Sequence, residues 1–164
     1  MKQLTRVLLI AVMTTSSSSL LALGQGQSQN AGIAEAVIAM TKAEWAAGIR
    51  DPSSVAEQSK DYAEDYTEFR PEYPTRLEGK DVYTRINTAG ATGSSRTISS
   101  EMFNPRVQVY NGDVAILSYH YVGIDKDKDG KTETIRVKVT RVYVKRDGKW
   151  MLVHKNVGSD PLPK

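Results

Sequence analysis

Thr140 to His154 reads TRVYVKRDGKWMLVH, and the fold turns on how this stretch is divided. Val142-Tyr143-Val144 and Trp150 to Val153 are β-branched and aromatic runs, and Asp147-Gly148 between them suits a tight hairpin turn. Two strands therefore meet here, predicted over Thr134–Arg146 and Lys149–Val157. Further upstream, Val107 and Val109 lead into Asn111-Gly112, a pair that readily takes the positive φ values of a type I′ turn. Val114 to Gly123 follows as another strand. From Arg96 onward the period is two, which predicts an antiparallel meander.

Strand parity then separates the faces. Ile135, Val137, Val139, Arg141 and Tyr143 share one side, while Arg136, Lys138 and Thr140 point the other way. Arg141 is thus expected to face inward among apolar neighbours. A buried guanidinium is costly unless paired, so it either meets an internal carboxylate (Asp65, Glu64 or Glu68) or lines a cavity that receives an anion. The same parity puts His154 with Trp150 and Leu152, near the interior. It also separates Leu117, Tyr119 and Tyr121 from Val114, Ile116, Ser118 and His120. A sheet apolar on both sides needs two covers: helices on one, and on the other a dimer interface.

Before Arg96 the pattern is helical. Ala31–Arg50 carries Ile33, Val37, Met40, Trp45 and Ile49 at helical spacing with Asn30 as N-cap. Asp51-Pro52 restarts a short second helix to about Ser59. Tyr62–Phe69 (YAEDYTEF) reads as a helix end running into a strand. Leu77–Lys80 (LEGK) turns, Asp81–Thr88 (DVYTRINT) gives a third short helix, and Ala89–Ser95 (AGATGSS) reads as a mobile loop. Helices first and strands afterwards mean α+β.

The N-terminus has its own logic. Lys2 and Arg6 precede the apolar Val7–Met13, and Leu20–Leu23 ends in Ala22-Leu23-Gly24, the layout of a signal peptide over residues 1–24 cleaved between Gly24 and Gln25. Neither apolar run approaches the roughly 20 residues a spanning helix needs. A flexible 25–30 would then lead into one domain at 31–159, with 160–164 as a tail. The expected location is periplasmic or secreted, with no membrane association after cleavage. The absence of cysteine excludes disulfides and a lipid-anchored cysteine.

Removing Lys2 and Arg6 leaves 20 of the 22 basic residues against 19 acidic ones, so the formal charge falls from +3 to +1. No Lys/Arg cluster remains to neutralise a row of phosphates, which argues against nucleic acid. Asp125 to Arg136 (DKDKDGKTETIR) opens with the D-x-D-x-D-G spacing of a calcium loop. It lies between strands rather than helices, however, and its twelfth position is Arg136 instead of a bidentate Glu. Asp125, Asp127 and Asp129 make a weak metal candidate, and a solvated turn is the reading adopted. Two histidines without a third ligand do not make a metal site, and no cofactor fingerprint is present.

Eight tyrosines against two phenylalanines point to interiors that need hydroxyls. Trp45, Tyr62, Tyr66, Tyr119, Tyr121, Arg141, Tyr143 and His154 are the candidate lining of a ligand pocket.

The helix with Trp45, YAEDYTEF, LEGK, NPRVQVYNGDVAILSYHYVG and TRVYVKRDGKWMLVH together resemble the SnoaL-like proteins of the nuclear transport factor 2-like superfamily. From Asn104 onward the chain is also similar to the association domain of calcium/calmodulin-dependent protein kinase II. The resemblance covers about Ala31 to Ser159. It implies a cone of three N-terminal helices packed in the concave side of a curved, mainly antiparallel sheet, with a pocket between them and dimerisation through the sheet. It also implies that Arg141 lines the pocket, while Tyr121 stands where the kinase domain has a second pocket arginine.

Three functions fit the resemblance. The one preferred is a dimer that binds a small apolar or weakly anionic molecule. The second is an isomerase, cyclase or dehydratase with Asp65 or His154 as general base, Tyr66 or Tyr121 as donor and Arg141 on an oxyanion. The third is a non-catalytic dimerisation module. Fold alone does not choose among them.

Overall fold

The computed structural model describes residues 17–160 apart from residues 92 and 94. In chain order its elements are α1 (Ser17–Arg50), α2 (Val55–Gln58), β1 (Tyr62–Phe69), β2 (Leu77–Glu78), α3 (Lys80–Gly90), β3 (Ser95–Tyr110), β4 (Val114–Asp127), β5 (Thr132–Arg146) and β6 (Lys149–Ser159). One six-stranded sheet runs in the order β2-β1-β6-β5-β4-β3. β1 pairs parallel with β6, and the remaining pairings are antiparallel.

The expected meander is present from β3 to β6. Asp147 (φ 50°) and Gly148 (φ 79°) form the two-residue turn that pairs Arg146 with Lys149, and Asn111 (φ 52°) and Gly112 (φ 76°) turn the chain between β3 and β4. Register shifts near Ile98, at Asn104-Pro105 and at Val153 bend these long strands. The result is a curved sheet with α1 and α3 against its concave side.

The reading of three N-terminal helices is corrected. The long helix α1 starts before Asn30 and takes in residues 25–30, which were expected to be flexible. Helix α2 keeps only four residues. Asp51 Oδ1 accepts from Ser53 N and Oγ, and Ser54 Oγ donates to Asp51 O, so local turns use up the groups that a longer helix would engage. β1 and β2 then intervene, and only afterwards does α3 form, behind Gly79 at φ 93°. Of the leader expected over residues 1–24, residues 1–16 lie outside the described residues, as do residues 161–164 of the tail. No helix among the described residues is long and apolar enough to cross a membrane.

The core lies between α1 and the concave face. Ile33 and Val37 of α1 meet Ala115, Leu117 and Tyr119 of β4, Val139 and Tyr143 of β5, and Leu152 of β6, all buried. Each fully buried Val or Leu here contributes about 1.5–3 kcal/mol. At one end Tyr62, Tyr66 and Tyr83 pack with ring centroids 4.5–5.6 Å apart.

Candidate functional site

Arg141 faces inward as parity requires and is 2 % exposed. Its partner comes from none of the three carboxylates expected. Glu44 of α1 takes both terminal nitrogens: Nη1 donates to Oε2 at 2.5 Å and Nη2 to Oε1 at 3.0 Å. Nε donates to Tyr119 Oη at 3.0 Å, and Tyr62 Oη donates to Glu44 Oε1 at 3.0 Å. Burial alone would raise the Glu44 carboxyl, but the Arg141 guanidinium and its hydrogen bonds hold it below the usual value, so the pair is ionised. Next to it Thr41 Oγ1 donates to Val37 O, and Tyr143 Oη then donates to Thr41 Oγ1 at 2.8 Å.

Helix geometry explains why Glu44 reaches this position. At about 100° per residue, Glu44 stands two turns beyond Val37 on the same line of α1. The stripe facing the sheet therefore runs Ile33, Val37, Thr41, Glu44, with polar groups in its second half. Glu44 is the main site residue that the sequence reading missed, and its seven-residue spacing from Val37 was the available signal.

A second charged cluster adjoins the first through Tyr62. Lys155 Nζ is 2.9 Å from Glu68 Oε1, and Arg70 Nε donates to the same oxygen at 2.5 Å. Lys155 also stands 5.6 Å from the Tyr83 ring centroid and 6.0 Å from that of Tyr62. Burial lowers the Lys155 ammonium to about 8, although Glu68 opposes the shift. Tyr66 Oη and Glu68 Oε2 are buried without a hydrogen-bond partner.

The proposed bases lie elsewhere. Asp65 is on the outside, its carboxylate gripped by Arg146 at 2.7 and 2.8 Å. His154 does not share a face with Leu152. The register passes from Tyr143 opposite Leu152 to Val142 opposite His154, so Val153 is an extra residue in β6. This bulge flips the parity, turning Lys155 inward and His154 outward. There His154 Nδ1 shares a hydrogen bond with Thr67 Oγ1 at 2.8 Å, its ring edge-on to the exposed Phe69. Burial and the nearby Arg76 lower its pKa below the ordinary value.

The open pocket is bounded by α1, α3 and the ends of β3 and β4. Its volume is about 380 Å3, and Glu44, Trp45, Tyr73 and Tyr121 are among its walls. Trp45 stacks at an angle on Tyr119 and edge-on to Tyr121, with centroids 5.6 and 5.1 Å apart. Tyr121 reaches over Gly123, where any Cβ would lie 2.5 Å from its hydroxyl, to hydrogen-bond Ser100 Oγ at 2.9 Å. Of the candidate lining residues, Trp45 and Tyr121 meet this space. Tyr62 and Tyr143 border only a small void of about 10 Å3. Tyr66, Tyr119 and Arg141 are packed in the interior.

The acidic stretch forms a hairpin turn. Asp125 accepts from Thr97 Oγ1 at 2.7 Å, and Asp127 Oδ1 accepts from Lys131 N at 2.8 Å. Among the described residues no cluster of three His, Cys, Asp or Glu side chains is arranged to hold a metal ion.

Known proteins share this fold. The family model of the calcium/calmodulin dependent protein kinase II association domain matches residues 34–161. The delta subunit of the type II kinase from Oryctolagus cuniculus is 31 % identical over 96 residues, 58 % of this chain but only 18 % of that protein. Among solved structures, the association domain of the C. elegans kinase superposes with a TM-score of 0.62 at 19 % identity, over 81 % of this chain and 97 % of that one. A nuclear transport factor 2-like protein from Pseudomonas putida gives 0.63 at 18 % identity, over 81 % and 89 %. These structural likenesses establish the fold, and the family match covers most of the chain. The chain belongs to the calcium/calmodulin dependent protein kinase II association domain family, on a nuclear transport factor 2-like fold.

Proposed function

We propose that this chain is a self-associating domain that binds a small molecule in the pocket between α1, α3 and β3–β4. The observation that carries the reading is the pocket of about 380 Å3, with aromatic walls from Trp45, Tyr73 and Tyr121 and a carboxylate at its floor. That volume is within the usual range of a small-molecule site, and the lining is more polar than most, with Gln58, Asn87, Thr97 and Ser100 beside the aromatics. Binding is favoured over proton-transfer catalysis by the state of the acids. Asp65 and His154 lie on the outside, and the two carboxylates within, Glu44 and Glu68, are each held ionised by a cation at hydrogen-bond distance. A carboxylate stabilised in this way is a weak base.

Self-association is supported by the outer face of the sheet and by relatives whose names describe an association domain. Phe69 and Phe103 are each 45 % exposed on that face, beside a groove of about 330 Å3 lined by His120, Lys138 and Asn156. Export is part of the same reading, on the strength of the leader-like residues 1–24.

Native mass spectrometry of the protein from its own host tests all three parts. The expected species starts at Gln25 and is an oligomer carrying a discrete added mass. Bare oligomers would remove the ligand, a monomer that persists at high concentration would remove the association, and an intact Met1 would remove the export. Phe103→Glu should shift the oligomer toward monomer while leaving the circular dichroism spectrum unchanged.

A further inference from the structure

We propose that the pocket selects a ring-sized ligand that donates a hydrogen bond, through a hydroxyl or an ammonium, to Glu44, and that it turns carboxylates away. The inference rests on the pocket-binding reading and narrows it to a chemical class. Parity left Arg141 either an internal carboxylate or an anion in a cavity, and the guanidinium is already occupied within the chain. All three of its nitrogens donate within the chain, two to Glu44 and one to Tyr119, and the residue is 2 % exposed.

What the pocket meets is the other side of that pair. Glu44 lines the space with its side chain 14 % exposed. Its Oε1 accepts from Arg141 and Tyr62, whereas Oε2 accepts from Arg141 alone, and each carboxylate oxygen has about two lone pairs. Oε2 therefore keeps acceptor capacity.

Two amides on the wall, Gln58 and Asn87, offer donors as well as acceptors, so the preference comes from Glu44. Asn87 Nδ2 donates to Tyr83 O and keeps one N–H and its carbonyl oxygen, while Gln58 Nε2 donates to Pro52 O and its Oε1 packs against Gly48. A carboxylate entering here faces the charge of Glu44, whereas a hydroxyl or ammonium can donate to it. The other charged residue of the lining, Arg96, is exposed to solvent, where screening weakens its pull on an anion.

The test uses three probes that share one ring: benzyl alcohol, benzylamine and benzoate. Trp150→Phe, a change on β6 outside the pocket, leaves Trp45 as the sole tryptophan, and its fluorescence reports occupancy. The expected result is saturable quenching by benzyl alcohol or benzylamine at a Kd at least about tenfold below that of benzoate, as for a site whose acceptors are left unpaired by the wrong ligand. Benzoate binding as tightly as the donors would overturn the proposal while leaving a binding pocket. No saturable change with any of the three would overturn both.

Glu44→Gln in the same background should narrow the gap. Because that change strands Arg141, Glu44→Gln/Arg141→Met serves as the second variant. A gap that persists undiminished in the folded double variant would show that Glu44 is not its source.

Discussion

Arg141 and Arg146 sit on the same strand, and each grips a carboxylate with both terminal nitrogens, yet they stand in opposite surroundings. The Arg141–Glu44 side chains are 3 % and 14 % exposed, those of Arg146–Asp65 44 % and 64 %. The hydrogen-bond geometry is nearly the same. What differs is what replaces a lost partner. At Arg146 water does so at once, while at Arg141 the remaining charge stays buried among tyrosines. The comparison teaches that bidentate geometry alone says little about the worth of an ion pair in this molecule. Burial decides it.

The largest effect expected from breaking that contrast is at Arg141. Arg141→Ala should lower the unfolding free energy by about 3–5 kcal/mol in a urea titration, because Glu44 is left charged in the interior. Glu44→Leu/Arg141→Met should recover most of the loss, since neither charge then remains buried. A single variant as stable as wild type would remove burial as the explanation.

A smaller loss sharpens the account of the network itself. Tyr119→Phe deletes the acceptor of Arg141 Nε and should cost about 1.5–3 kcal/mol. Tyr66→Phe removes a buried hydroxyl that has no partner and should be neutral or stabilising. Equal losses from the two changes would mean that the space filled by the hydroxyl oxygen, and not the hydrogen bond, sets the cost.

The Lys155 cluster extends the contrast to pH. Burial lowers the folded ammonium to about 8 from 10.5. The sign follows from proton counts: between those values the unfolded chain holds the proton and the folded one releases it, so this group makes stability rise with pH. Its cost is fully present below about pH 8 and is relieved as pH climbs toward 10.5. Wild type should therefore gain on the order of 1 kcal/mol over Lys155→Met between about pH 8 and about pH 9.5. A flat difference between the two proteins would mean that Glu68 holds the ammonium charged throughout.

The smallest effect belongs to the surface pair. Arg146→Ala and Asp65→Asn should leave the thermal midpoint within replicate scatter, because solvent replaces what each change removes. A shift comparable with that of Tyr119→Phe would break the comparison from its other side.

The sequence alone determined the four long strands, their turns and the inward face of β5. Those features follow from local chemistry: Asn-Gly and Asp-Gly accept positive φ, and in an unbroken strand alternate side chains share a face. It therefore placed Arg141 correctly, and in principle Glu44 too, two helical turns from Val37. The partner of Arg141 was a different matter, because a strand's parity says which way a side chain points and nothing about which element stands opposite. Only packing α1 against β5 brought together residues 97 positions apart. Tertiary structure likewise decided the places of His154 and Lys155. The bulge at Val153 answers to pairing with β5 and β1, and one inserted residue exchanges every inward side chain beyond it for its neighbour. It exchanged a histidine expected in a pocket for a buried lysine.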